Sequence, residues 1–256
     1  MAGYRVALAD LEEKSRVSGI DFIKQKDPNP FFLATVSEPL RGAAASREAI
    51  YYAHCAMLDG HLGRLLAVLE EQRVAANTIV VFTSDCGEML GAHELQGADV
   101  PFEESVRVPL IIRHPAWKPA GGKSDLLVST VDLMPTLLGF CGVVIPDRVQ
   151  GRDLSSLIAT GEGDRPESVY SAGHLGANDE WRMVVRGLDK LVVNRELNVT
   201  HLYNLGQDPS ELDNRAEDAA LELKRDELKA LLRDWMRRSG DGMDPSGLKK
   251  RAQGRS

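Results

Sequence analysis

Asp85, Cys86 and His93 bring a carboxylate, a thiol and an imidazole into one nine-residue stretch. They sit in Ile79-Val80-Val81-Phe82-Thr83-Ser84-Asp85-Cys86-Gly87-Glu88-Met89-Leu90-Gly91-Ala92-His93, where an apolar run ends abruptly in a polar, glycine-punctuated loop. A carboxylate holds hard divalent cations, a thiolate suits zinc better than calcium or magnesium, and an imidazole can bind metal or carry a proton. Ile79 to Phe82 form a β-favouring run without alternation, which predicts a strand covered on both faces. Ligands of open α/β sheets bind beyond the carboxyl ends of such strands, so Asp85 is placed like a metal or substrate ligand. The competing reading is a turn-forming aspartate. Cys86 is a second metal-ligand candidate but is expected foremost as a small buried cysteine. His93 is the one catalytic candidate, against the reading of an exposed loop histidine.

Helices and strands are predicted on both sides of this loop. Val6, Leu8, Leu11, Val17, Ile20 and Ile23 predict an amphipathic helix over 5–26, and residues 31–36 a buried strand. A helix is predicted over 47–73, with Met57, Leu58, Leu62, Leu65, Leu66 and Leu69 as its apolar stripe. A second strand is expected from Val108 to Ile112, where Pro109 is tolerated near the start. Asp132 is expected to cap the helix carrying Leu133, Leu137 and Leu138, with Pro135 in its first turn. From about Glu167 short strands follow (169–170, 182–186, 190–193 and 201–203), then a helix through Leu221, Leu228, Leu231, Leu232 and Trp235.

Beyond the first loop, Pro101-Phe102-Glu103-Glu104-Ser105-Val106-Arg107-Val108-Pro109-Leu110, Thr130-Val131-Asp132-Leu133-Met134-Pro135-Thr136, Val149-Gln150-Gly151-Arg152 and Leu202-Tyr203-Asn204-Leu205 recur in the order and spacing of one family. From about Pro30 to about Met236 the chain resembles the sulfatases of the alkaline phosphatase superfamily. The resemblance implies hydrolysis of a sulfate ester of a small molecule at a divalent cation, usually calcium. It also implies a formylglycine nucleophile made from a cysteine or serine. The implied fold class is α/β: part of a sulfatase/alkaline phosphatase-like mixed sheet flanked by helices, closed by a small antiparallel sheet and a terminal helix. The expected division is an incomplete α/β core over 1–160, a C-terminal subdomain over 161–238 and a flexible tail over 239–256.

Several family features are altered. Neither an Asp-Asp pair nor Cys-x-Pro-x-Arg occurs in these residues, so no formylglycine precursor is identified. Ser37-Glu38-Pro39-Leu40-Arg41 matches Ser-x-Pro-x-Arg but stands where the family has its Pro-His segment, and is read as accidental. The position after Asp85, a histidine or asparagine in the family, is Cys86. The family's lysine falls on Ala98, its Pro-His reads Pro39-Leu40, and Ala92 replaces an aspartate before His93. Losing one preorganised donor to an anionic transition state costs about a hundredfold or more in rate. Glu103 and Glu104 are expected in a salt-bridged structural segment, with Arg107 as a partner.

Composition is that of a globular protein: 256 residues, 43% hydrophobic, 27% charged, formal net charge −7. The acidic balance argues against nucleic-acid binding, and no segment reads as a membrane anchor or signal peptide. Three cysteines without finger spacing fit a reducing compartment, with the cytoplasm as default. Three readings follow: the C-terminal portion of a sulfatase whose activity needs a longer assembly, a non-catalytic pseudoenzyme acting as a binding module, or a divergent hydrolase using zinc at Asp85, Cys86 and His93. An uncovered strand neighbour favours self-association or a partner chain that completes the sheet.

Overall fold

The computed structural model describes residues 44–117 and 122–241, with side chains from residue 50 onward. The predicted helix over 5–26, the strand over 31–36, the Ser37 to Arg41 segment with Pro39 and Leu40, and all but the first residues of the expected tail lie outside the described residues.

Two compact units divide the chain, Met1–Val80 with Leu90–Gln96 and Val81–Met89 with Gly97–Ser256. The first carries α1, Ala44–Glu71, which begins three residues before the predicted helix. Its predicted stripe is covered only in part. Leu62, Leu66 and Leu69 are half-buried, whereas Met57, Leu58 and Leu65 are exposed, Leu65 by 64%.

The boundary between the units falls inside β1, Val80–Thr83, which pairs with β2, Leu110–Arg113, as a two-stranded sheet among the described residues. The expectation that β1 is covered on both faces does not hold. Val80 and Val81 are half-buried and Phe82 is 39% exposed. The physical reason is the small sheet: two strands leave more face and edge open to solvent than the centre of a larger one does. Between the two strands lies α2, Glu103–Val106, and beyond them α3, Leu133–Phe140, and α4, Ser155–Thr160.

Asp132 has the structural role expected of it. A 3-10 turn over Thr130–Asp132 leads into α3, and Ser129 and Asp132 form a capping box. Asp132 is 4% exposed; its Oδ2 accepts from the Ser129 amide at 3.0 Å and its Oδ1 from the Arg152 amide at 2.8 Å. Gly151, at φ +96, makes this possible, because a Cβ there would collide with the Val131 carbonyl. The family's Gln-Gly-Arg segment is thus a clamp on the start of α3.

The C-terminal sheet runs β3, Ser168–Gly173; β4, Trp181–Arg186; β5, Asp189–Asn194; and β6, Val199–Asn204, all antiparallel in sequence order. Each contains the predicted strand. The β4–β5 hairpin has the two-residue loop Gly187-Leu188 between the paired Arg186 and Asp189, with glycine at φ +58 where a side chain would be strained. Strand alternation sorts the residues onto two faces. Val184, Leu191, Val193 and Leu202 meet Leu228, Leu232 and Met236 of α5, Glu222–Ser239. Those three recur every four residues, which is the buried stripe of an amphipathic helix. The opposite face presents Trp181, Met183, Val185 and Val192 to Val106 and Leu127. That face supports the loop described next.

Candidate functional site

The loop that follows β1 is held by its glycine. Gly87 donates its amide to the Ser105 carbonyl at 2.7 Å, and a Cβ on Gly87 would collide with the Glu104 carbonyl. Only a bare Cα lets the loop lie against α2 this closely. Further on, the Gly97 amide donates to Glu88 Oε1 at 2.7 Å and the Met89 amide to the Gly97 carbonyl at 2.9 Å. These bonds tie a neck at Glu88-Met89 and Gly97. Met89, 1% exposed, plugs the neck from inside.

Asp85 is exposed, two residues past the end of β1, as its position beyond a strand end predicted. Its Oδ1 accepts from the Cys86 amide at 2.9 Å, while Ser84 Oγ donates to the Cys86 carbonyl at 2.8 Å. These local bonds hold the carboxylate in a tight turn. The expected buried cysteine is corrected: Cys86 is exposed. Gly87, not Cys86, makes the close approach to α2, which leaves the thiol outside. Desolvation, then the Asp85 charge, then Asp99 and Glu88 push the Cys86 thiol above its ordinary value.

Calcium takes six to eight oxygen ligands, so a single carboxylate beside a soft sulfur donor does not fit it. Among the described residues, no group of three or more His, Cys, Asp or Glu side chains could hold a metal ion. His93 belongs to the other unit, on the Leu90–Gln96 segment, within a 3-10 turn over Ala92–Glu94 and with its backbone at φ +52.

The acidic segment after Pro101 is structural, as expected, but with a different partner. Glu103 pairs not with Arg107 but with Lys190 of β5, at 3.1 Å, and Lys190 also meets Glu211 at 2.7 Å. Lys190 and Glu211 are fully buried. Neither was singled out by sequence reasoning. Strand parity carried the signal for Lys190, which shares the inward face of Val192, whereas nothing local marks Glu211. Nearby, Trp181 Nε1 donates to the Asp99 carbonyl at 2.8 Å, one residue after Ala98. The indole lies over Gly173, its cross-strand partner, where a Cβ would strike the ring. The C-terminal sheet thus grips residues 97–106 at two points.

With this geometry in view, comparison with known proteins places the chain. The family described as Sulfatase matches residues 13–143, and the family described as N-sulphoglucosamine sulphohydrolase, C-terminal, matches residues 91–238. The chain belongs to the sulfatase family. The ulvan-active sulfatase of Formosa agariphila is 37% identical over 148 residues, which is 57% of this chain and 27% of that protein. Among solved structures, the sulfatase-family chain is similar to BT4656, determined with its substrate D-glucosamine-2-N,6-O-disulfate. The TM-score is 0.72 at 29% identity, over 79% of this chain and 43% of that one. It is also similar to the phosphonate monoester hydrolase of Silicibacter pomeroyi, with TM-score 0.69 and 27% identity over 76% of this chain and 42% of that one. The mixed α/β fold expected from sequence is therefore that of sulfatase structures. The chain spans between 27% and 55% of the length of the first curated relatives it matches.

Proposed function

We propose that this chain is the metal-loop and C-terminal portion of a sulfuric ester hydrolase and does not hydrolyse a sulfate ester by itself. One observation carries the reading. The strand end, the Gly87 contact and the clamp around α3 are built, while the positions that should carry cationic or ligating side chains are Cys86 and Ala98. Asp85, Glu88 and Asp99 gather negative charge beside Cys86. An anionic ester is repelled there unless positive charge is supplied from outside this loop.

The substrate class supported by the family relatives is a sulfated saccharide, since relatives carry names of ulvan and N-sulphoglucosamine chemistry. Calcium is the cation that the family implies, with Asp85 as one of its ligands once other oxygen donors are brought to it. The runner-up class is a phosphonate or phosphate monoester, favoured by the phosphonate monoester hydrolase likeness. A partner chain, or a second copy, would supply the missing donors and cover the open face of β1 and β2, where Phe82 and Ile111 are exposed.

The test is turnover of an aryl sulfate and an aryl phosphonate by the purified chain in calcium. No turnover of either is expected. Turnover lost in Asp85→Ala would overturn the inactive reading, and the ester preferred would decide between the two classes.

A further inference from the structure

We propose that Lys190 is a positioning residue that fixes the Asp85 loop to the C-terminal sheet through Glu211 and Glu103. The inference rests on the Asp85 loop being the candidate site, and it adds what holds that loop in place. Lys190 lies on β5, with no exposed surface, in register with Val185 and Tyr203. Its Nζ stands 2.7 Å from Glu211 Oε1 and 3.1 Å from Glu103 Oε1. The other Glu211 oxygen, Oε2, accepts from the Glu103 amide at 2.6 Å, at the first residue of α2. One residue before the end of α2, the Ser105 carbonyl accepts from Gly87, beside Cys86 and Asp85.

The chain of contacts therefore runs from a buried cation, through two carboxylates, to a four-residue helix and then to the loop. A helix this short has too few internal bonds to hold itself, so its geometry is set from outside. Glu211 does this twice, once through the ion pair and once through the backbone. Glu211 itself adopts φ +53, a conformation unusual for glutamate. The ion pair and the amide bond it makes oppose that cost. A buried charge that loses its only counter-charge draws in water or neutralises. Removing Lys190 would leave Glu103 and Glu211 facing each other, and α2 would loosen from its start.

Amide hydrogen exchange of the full chain tests this without reference to metal or turnover, so a failure here is separate from a failure of the sulfatase reading. For Lys190→Met, exchange at Gly87 and Glu103 should rise roughly tenfold or more, while the amides of Leu228 and Leu232 in α5 hold their protection. The Trp181 indole N–H, bonded to Asp99, should shift in the same spectrum. Adding Glu211→Gln to Lys190→Met removes the orphaned charge and should restore part of the Gly87 protection. If Lys190→Met does not fold, Glu103→Gln reads the same path from its less buried end, with a smaller rise at Gly87. Unchanged exchange at Gly87, or an equal rise throughout β3 to β6 and α5, overturns the proposal by making Lys190 an ordinary member of the core.

Discussion

Arg182 on β4 and the Asp85 loop solve opposite electrostatic problems. The Arg182 guanidinium, almost fully buried, meets Glu180 at 2.6 Å and Asp241 at 2.6 Å, and Tyr170 donates to the same Asp241 at 2.5 Å. Lys190 on β5, with no exposed side-chain surface, is matched in the same way by Glu103 and Glu211. At Cys86 the acting charges are Asp85, Asp99 and Glu88, all of one sign. A buried charge in the sheet must be matched by the chain itself, because nothing else can reach it. An exposed acidic loop can wait for a cation, from solvent or from another polypeptide. The sheet matches its own buried charges, whereas the loop gathers charge of one sign.

The sharpest contrast between the regions is in packing. Leu228→Ala on α5, at 0% exposure, should cost about 2–5 kcal/mol of unfolding free energy. Leu65→Ala on α1, at 64% exposure, should stay within about 0.5 kcal/mol. Denaturant unfolding of the two variants measures both, and similar losses would remove the distinction between the closed and open regions.

A middling effect is expected at the clamp on the start of α3. Asp132→Ala deletes the acceptor for the Ser129 and Arg152 amides and should cost about 1–3 kcal/mol. If thermal melting shows no loss, the Gln-Gly-Arg segment is not the clamp described above.

The smallest expected difference is a slope. Burial, opposed by Lys190, raises the Glu211 carboxyl above its ordinary value of 4.5. Between that value and the raised one the folded chain binds more protons than the unfolded chain, so this group's contribution is fully present below pH 4.5 and falls away as pH rises through the window. Glu211→Gln should remove that slope from a plot of unfolding free energy against pH. An identical slope in the variant would place the dependence on another group.

Much of this architecture was legible in the residues. Leu191-Val192-Val193 and Met183-Val184-Val185 combine strong strand propensity with turn residues at either end, so β4 and β5 emerge within one residue of their predicted bounds, whereas β3 runs over Ser168–Gly173 where only 169–170 were predicted. Leu228 and Leu232 show their stripe by spacing alone. What failed was burial, because it depends on neighbours distant in sequence. The run Ile79 to Phe82 reads as a core strand, yet its partner β2 leaves Phe82 open. Cys86 reads as buried, but the space beside α2 belongs to Gly87. The Glu103, Lys190 and Glu211 cluster joins three elements separated by long stretches of chain, and only the parity of β5 hinted at one member. Asp85 needed no such knowledge, since a strand end followed by a glycine loop marks it locally.

Calorimetric titration of the purified chain with calcium, alongside Asp85→Ala, decides whether an intact frame carries a loop without its metal-binding complement. No stoichiometric binding is expected by either protein. Stoichiometric binding by the unaltered chain, abolished in Asp85→Ala, would contradict this and show a complete metal site at the end of β1.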